Sequence, residues 1–356
     1  MPGWPRGEIL VQASPVTGMP AEGALATFRY SLTEHALIRV DADGTLEVAI
    51  TEDSPAWGDP GFLELIGAAA RVGASDSAGT RSFGVGLLGF GAIGAQHAQA
   101  VRETPGLSLV AVCDQDPVRT AAALDADPGT RVLDTAEALI LDPGVEVVVI
   151  STPPDSHARW AMQALEAGRH VVVEKPMALT VRECDALLST AREAGLTLTV
   201  YQNRRFDPDY HAIRRCVRDG RIGEVFHLEA FVGGYGHPCN YWHSDASVSG
   251  GALFDWGSHV IDQVLDLLPG DVEYVTAVNH KRRWHDVTNA DHSRMTLAFD
   301  GGREATFIYS DLAAALKPRW FILGTEGALT GEWRQESVIA RSAIGTLDED
   351  VLAPAD

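Results

Sequence analysis

From position 83 onward, short apolar runs alternate with amphipathic stretches, and the period of each run indicates its element. Phe83-Gly-Val-Gly-Leu-Leu88 is continuously apolar, and a glycine turn follows it at once. Such a run reads as a strand buried on both faces. Residues 92–102 read as a helix, and the alternation then repeats. Strands are expected at 107–112, 131–133, 145–150, 170–173 and 196–201, with helices at 118–125, 135–141, 157–167 and 181–194. This spacing predicts a doubly wound parallel sheet over residues 83–203, with helices on both faces.

The pattern changes at residue 204. A helix at 210–219 precedes an alternating strand at 224–232, and a second helix covers 251–268. Strands at 273–280, 293–299, 304–310 and 320–324 then follow with turns between them. Residues 204–341 therefore predict an α+β domain with a mostly antiparallel, open sheet. Residues 342–356 read as a loose tail. The first 82 residues form a separate extension. Residues 2–21 read as loop, and 35–40 and 46–50 flank Asp41-Ala-Asp-Gly44 as a hairpin. A short helix is expected at 62–72 and a linker at 73–79.

Composition narrows the function. The 356-residue chain has a formal net charge of −21 and 46% hydrophobic residues. So acidic a surface repels phosphate backbones and anionic lipid, which excludes nucleic acid and membrane as expected partners. The four cysteines, Cys113, Cys184, Cys216 and Cys239, are widely spaced and form no Cys-x-x-Cys pair. That usage fits a reducing, cytoplasmic compartment. Lysine is scarce: Lys175, Lys281 and Lys317 are the complete set.

The glycine turn carries the first chemical signal. Gly89-Phe90-Gly91-Ala92-Ile93-Gly94 directly follows a strand and opens a helix. In that context Gly89 permits the tight turn, Gly91 the close approach of a pyrophosphate, and Gly94 the packing of helix on sheet. Free N–H groups at the helix start suit a dianion. Asp114, twenty positions beyond Gly94, ends the second strand. A carboxylate there accepts hydrogen bonds from ribose hydroxyls and repels a 2′-phosphate, so a Rossmann-type site for NAD is expected. Arg119 lies nearby and softens that preference toward NADP.

Two further motifs bear on catalysis. Glu174-Lys175-Pro176 closes a late strand of the parallel sheet, where ligands of such sheets bind. A cis Lys175–Pro176 peptide is expected to aim the lysine inward. In a helix, Asp255 and His259 fall at i and i+4 on one face, and Asp262 follows at i+7. A carboxylate beside His259 favours imidazolium and orients the ring.

Together and in this order, Gly89–Gly94, Glu174-Lys175-Pro176 and Asp255-x-Gly-x-His259 resemble the Gfo/Idh/MocA family of sugar and inositol dehydrogenases. The similarity runs from about residue 83 to residue 333. The resemblance implies an NAD(P)-dependent oxidoreductase that moves a hydride to or from a CH–OH or C=O carbon of a sugar, cyclitol or related polyol. It implies Lys175, Asp255 and His259 as the catalytic set, with His259 as general base, Lys175 stabilising the reacting oxygen and Asp255 orienting the imidazole or the substrate. Ser151, Thr152, Pro153, His157, Glu174 and Pro176 would line the cofactor cleft. Asn203 and Arg205 would border the nicotinamide or substrate, and Tyr235, His237, Trp242 and His243 are further substrate candidates. The resemblance also implies a homo-oligomer joined through the second sheet. Histidine and cysteine spacing matches no zinc pattern, so no metal is expected. Two other readings remain open: a non-catalytic NAD-binding regulator, and an NAD-dependent glycosidase.

Overall fold

The computed structural model describes residues 25–29, 35–40, 46–49, 82–335, 337–342 and 349–352. The chain divides into two compact units, 1–82 and 83–356. In the first unit, β1 (Leu25–Arg29), β2 (His35–Val40) and β3 (Leu46–Ala49) form an antiparallel sheet in that order. The β2–β3 pair is the hairpin expected around the Asp-Gly turn, with Val40 opposite Leu46. The loop expected at 2–21, the helix at 62–72 and the linker at 73–79 lie outside the described residues.

In the second unit, β4 (Phe83–Leu88), β5 (Leu107–Cys113), β6 (Arg131–Val132), β7 (Val147–Ile150), β8 (His170–Glu174) and β9 (Leu198–Tyr201) form one sheet. All its pairings are parallel, and the order is β6-β5-β4-β7-β8-β9. The connecting helices are α1 (Ala92–Glu103), α2 (Pro117–Ala126), α3 (Ala136–Leu141), α4 (His157–Glu166) and α5 (Val181–Ala194). Successive strand residues supply opposite faces. Val85, Leu87 and Val149 belong to one apolar cluster, and Leu88, Val148 and Ile150 to another. This explains why the strands read as continuous apolar runs. The strand order reverses between β4 and β7, which opens a crevice beyond their carboxyl ends.

The second sheet has eight strands: β10 (Val225–Gly233), β11 (Val272–His280), β12 (His292–Phe299), β13 (Glu304–Ser310), β14 (Trp320–Gly324), β15 (Gly327–Gly331), β16 (Ser337–Ser342) and β17 (Glu349–Leu352). The order is β11-β12-β13-β10-β14-β15-β16-β17, antiparallel throughout except for the parallel β10–β13 pair. Helices α6 (Pro208–Arg218), α7 (Ala246–Ser249) and α8 (Ala252–Leu267) accompany it. Tyr210 and Ile213 of α6, Val260 and Val264 of α8, and Phe307 and Trp320 of the sheet share one core. The loose tail expected at 342–356 is corrected over 349–352, where β17 pairs with β16 and Ser337 stands opposite Leu352. The sheet also extends further than expected, because β15, β16 and β17 follow β14. Each added strand pairs the backbone groups its neighbour would otherwise leave open.

Candidate active site

The crevice at the end of β4 is shaped by glycines. Gly89 has φ +88°, and a Cβ there would fall 2.7 Å from the Ser151 carbonyl oxygen. A Cβ on Gly94 would fall 2.2 Å from the Gly89 carbonyl oxygen, so only glycine allows this helix–turn packing. At Gly91 the space is open, with the nearest atom a guanidinium nitrogen of Arg119 at 3.8 Å. Helix α1 starts at Gly91 with no side-chain cap and no acid in its first turn. Its N–H groups are left for an anion.

Asp114, at the end of β5, is fixed by the Phe90 N–H, which donates to Oδ2 at 2.6 Å, and by the Asp116 N–H, which donates to Oδ1 at 2.8 Å. Arg119 stands 3.6 Å from the same carboxylate. The Phe90 side chain itself is core. Gly89, Asp114, Arg119, Ser151, Thr152 and Pro153 line a cavity of about 760 Å³. The donors of an uncapped helix start, the open space at Gly91 and the acceptor carboxylate at the strand end together fit a dinucleotide.

Ser151 and Thr152 also line a second cavity, of about 500 Å³, together with Ala92, Ile93, Lys175, Asp255 and His259. His157 spans the wall between β7 and β8. Its Nδ1 lies 2.8 Å from the Pro176 carbonyl and its Nε2 2.8 Å from the Thr152 carbonyl, while burial pushes its imidazole pKa down. Glu174 is nearly buried and bonds His97 Nε2 at 2.8 Å, and Tyr201 meets the His97 ring edge-on. The Lys175–Pro176 peptide is cis.

Lys175 Nζ donates to Asp255 Oδ1 at 2.5 Å. Asp255 lies in the first turn of α8, where the helix dipole favours an anion. Its second oxygen is 3.6 Å from His243 Nδ1. Burial works to raise the Asp255 pKa, but the neighbouring His243 ring and the Lys175 ammonium outweigh it and hold the carboxyl well below its usual range. His259 is 3% exposed, and its Nδ1 is buried without a partner. Burial first, then the charges of Lys175 and Arg204, push its imidazole down to about 2. The Asp255 charge does favour imidazolium at His259, as expected, but burial and the two cations outweigh it. The carboxylate is turned to Lys175 and His243, and His259 is held neutral.

Of the substrate candidates, Asn203, Trp242 and His243 line the second cavity. The His243 ring stacks on Trp242 at 3.7 Å. Arg205 does not line it: its guanidinium is held by Asp262 through bonds of 2.7 and 2.8 Å, and Arg204 takes the cavity position instead. Asp262, the third member of the predicted helical stripe, is consumed by that pair. Tyr235 is also corrected. It is exposed, packs edge-on to Trp284 and bridges Leu312. His237 bonds Asp286 at 2.8 Å. The sequence reading missed His97, Arg204, Asn289, Tyr309 and Asp311. Tyr309 donates to Asp311 Oδ1 at 2.9 Å, and Asn289 Nδ2 donates to the His243 carbonyl at 2.6 Å. No local motif marks Asn289, Tyr309 and Asp311, which a loop and a strand end remote in sequence bring in, whereas His97 lies on α1 and Arg204 directly follows Asn203.

A dinucleotide crevice at the switch point of a parallel sheet, running into a cavity with a lysine–carboxylate pair and a buried imidazole, defines an NAD(P)-binding oxidoreductase. Residues 83–202 match the family described as "Oxidoreductase family, NAD-binding Rossmann fold", and residues 210–330 match the GFO/IDH/MocA C-terminal domain. The chain belongs to the Gfo/Idh/MocA oxidoreductase family. It is 35% identical over 210 residues to an uncharacterized oxidoreductase of Schizosaccharomyces pombe, a match spanning 57% of each chain. It is 30% identical over 248 residues to the scyllo-inositol 2-dehydrogenase (NADP(+)) of Bacillus subtilis, 68% of this chain and 67% of that one. The solved biliverdin reductase of Synechocystis sp. PCC 6803, in complex with biliverdin and NADP+, superposes with a TM-score of 0.66 at 27% identity, covering 76% of this chain and 85% of that one.

Proposed function

We propose that the protein is an NAD(P)-dependent dehydrogenase or reductase acting at a CH–OH or C=O carbon of a sugar, cyclitol or related polyol. One observation carries this reading: Lys175, paired to Asp255, and the neutral His259 line one cavity that continues into the dinucleotide crevice at Ser151 and Thr152. The nicotinamide dinucleotide, when bound, supplies the hydride exchange. Gly91, the start of α1 and Asp114 hold it, with Ser151, Thr152, Pro153 and Arg119 along the wall.

In the oxidation direction, the neutral His259 takes the hydroxyl proton. Its Nδ1 is sealed in protein, which leaves Nε2 for the substrate. Lys175 donates a hydrogen bond to the same oxygen and stabilises its developing negative charge. Asp255 fixes the position of Lys175 rather than that of the imidazole. Trp242, Trp256 and Tyr241 offer flat faces, and Asn203, Asn289 and Tyr309 offer hydrogen bonds, a combination suited to a hydroxylated ring. The similarity to a scyllo-inositol dehydrogenase agrees with this.

We place the protein in the cytoplasm on its four free cysteines. We also read it as self-associating through the second sheet, where edge strand β11 exposes Tyr274, Val275 and Val278. Sedimentation at several concentrations tests the association, and a monomer throughout refutes it. The deciding experiment for the activity is a screen of inositols, aldoses and keto-sugars, with biliverdin as a contrasting acceptor, followed at the NADH and NADPH absorbance. Turnover of a polyol or keto-sugar supports the reading. Reduction of biliverdin alone refutes it.

A further inference from the structure

We propose that the second cavity selects an electrically neutral substrate, an uncharged polyol, cyclitol or keto-sugar, and excludes sugar acids and sugar phosphates. This inference rests on the polyol reading above and narrows it.

The argument is one of charge pairing. The permanent charges along the described lining are two cations, Lys175 and Arg204, and three carboxylates, Glu174, Asp255 and Asp311. Each cation already has an anion beside it, and Asp207 is shared with Arg334, whose Nε lies 3.7 Å from Oδ1. Lys175 Nζ is 2.5 Å from Asp255 Oδ1, and Arg204 donates from one guanidinium nitrogen to both oxygens of Asp207 at 3.3 Å. Asp207 stands behind the wall and also accepts from Trp333 Nε1 at 3.1 Å. The Arg204 guanidinium is further enclosed by the rings of Trp256 and Trp333, at 5.6 and 5.0 Å from their centroids.

The carboxylates leave no opening for an anion. Asp255, Asp311 and Glu174 all line the cavity, and Glu174 is held by His97 and the Lys175 N–H. A substrate carboxylate or phosphate would have to displace Asp255 from Lys175 or Asp207 from Arg204. It would do so beside like charges, in a partly desolvated space where an unpaired anion is costly. The basic run Lys281-Arg282-Arg283 offers no substitute. Lys281 Nζ is 3.0 Å from Asp291 Oδ1, and Arg283 lies over the rings of Tyr235 and Trp284 outside the lining. What the cavity offers an incoming molecule is dipoles and ring faces, such as Asn203, Asn289, Tyr309, Trp242 and Trp256. A hydroxylated ring satisfies these without bringing a charge.

Arg204 and Asp207 then form a specificity gate, because Asp207 sits against the arginine of the described lining. Neutral and anionic relatives are compared on the wild-type protein: myo-inositol with an inositol monophosphate, and glucose with glucuronate. Both kcat/KM and ligand-induced quenching of tryptophan fluorescence are read, the latter on the protein without turnover. Neutral members should exceed their anionic relatives by about a hundredfold in kcat/KM and should alone give quenching. Asp207→Asn should raise kcat/KM for glucuronate about tenfold and leave that for glucose within about twofold. Equal or better use of the anionic members by the wild type overturns this inference and leaves the polyol reading intact. Neither turnover nor quenching with any of the four removes both. If Asp207→Asn does not fold, the wild-type comparison decides alone.

Discussion

Lys175 Nζ and Asp255 Oδ1 stand 2.5 Å apart although 80 positions separate them in the chain. One residue follows the last position of β8, and the other sits in the first turn of α8. Each therefore depends on the other for its place in the cavity. Lys175→Met should lower kcat/KM about a thousandfold through loss of charge stabilisation at the reacting oxygen. NADH affinity, read by fluorescence titration, should stay within about twofold. Asp255→Asn should lower kcat/KM by about a hundredfold, and the double variant should be no worse than Lys175→Met alone, since the two act as a unit. Full additivity in that cycle would separate the roles of the two residues.

The buried, neutral state of His259 makes stability depend on pH. Its folded pKa of about 2 lies below the ordinary 6.5, so between these values the unfolded chain binds more protons than the folded one. This contribution is fully present above pH 6.5 and is lost as pH falls toward 2. His259→Asn removes the group. The variant should show a slope of unfolding free energy against pH shallower by up to about 1.4 kcal/mol per pH unit between about pH 4 and 6. Urea unfolding at a series of pH values measures it. An unchanged slope would mean that the ring is already protonated or hydrated in the folded state.

Much of this arrangement was legible in the sequence, and the parts that were not share one cause. The parallel sheet was readable because strands covered on both faces, such as Val147–Ile150, are continuous apolar runs. Gly89, Gly94, Lys175, Asp255 and His259 were readable because each sits at a fixed offset from an element boundary. Arg204 and Arg205 are adjacent and chemically identical, and the positions of Asp207 and Asp262, which hold one guanidinium each, decide which of them borders the cavity. Asn289, Tyr309 and Asp311 arrive from a loop and the end of β13, where no spacing rule operates. The β17 strand was missed because its pairing with β16 is a tertiary event, not a local propensity.

The glycine turn separates binding from folding. A Cβ at Gly91 meets open space, whereas one at Gly94 would lie 2.2 Å from a backbone oxygen. Gly91→Ala should therefore keep its melting temperature within about 2 °C while losing about tenfold or more in NADH affinity, because the methyl group stands where the pyrophosphate approaches. Gly94→Ala should cost about 1–3 kcal/mol of stability and lower the melting temperature by several degrees. Differential scanning fluorimetry with and without NADH distinguishes the two. Equal destabilisation by both would mean that Gly91 is packed rather than open.

The choice between NAD and NADP turns on Asp114. Its carboxylate is nearly buried and points into the crevice, held by the Phe90 and Asp116 N–H groups, with Arg119 at 3.6 Å. A 2′-phosphate would meet this negative charge, while ribose hydroxyls can donate to its remaining lone pairs. Asp114→Ser removes the charge, keeps an acceptor for the turn and frees Arg119 to meet a phosphate. The ratio of NADPH to NADH affinity should then rise about tenfold or more, equivalent to about 1.4 kcal/mol. Adding Arg119→Ala to that variant should cancel most of the gain, because the guanidinium is the half-exposed cation beside the site. Fluorescence titration of the three proteins with both cofactors measures it. A wild-type protein that already prefers NADPH would show that Arg119, not Asp114, governs the ribose end of the crevice.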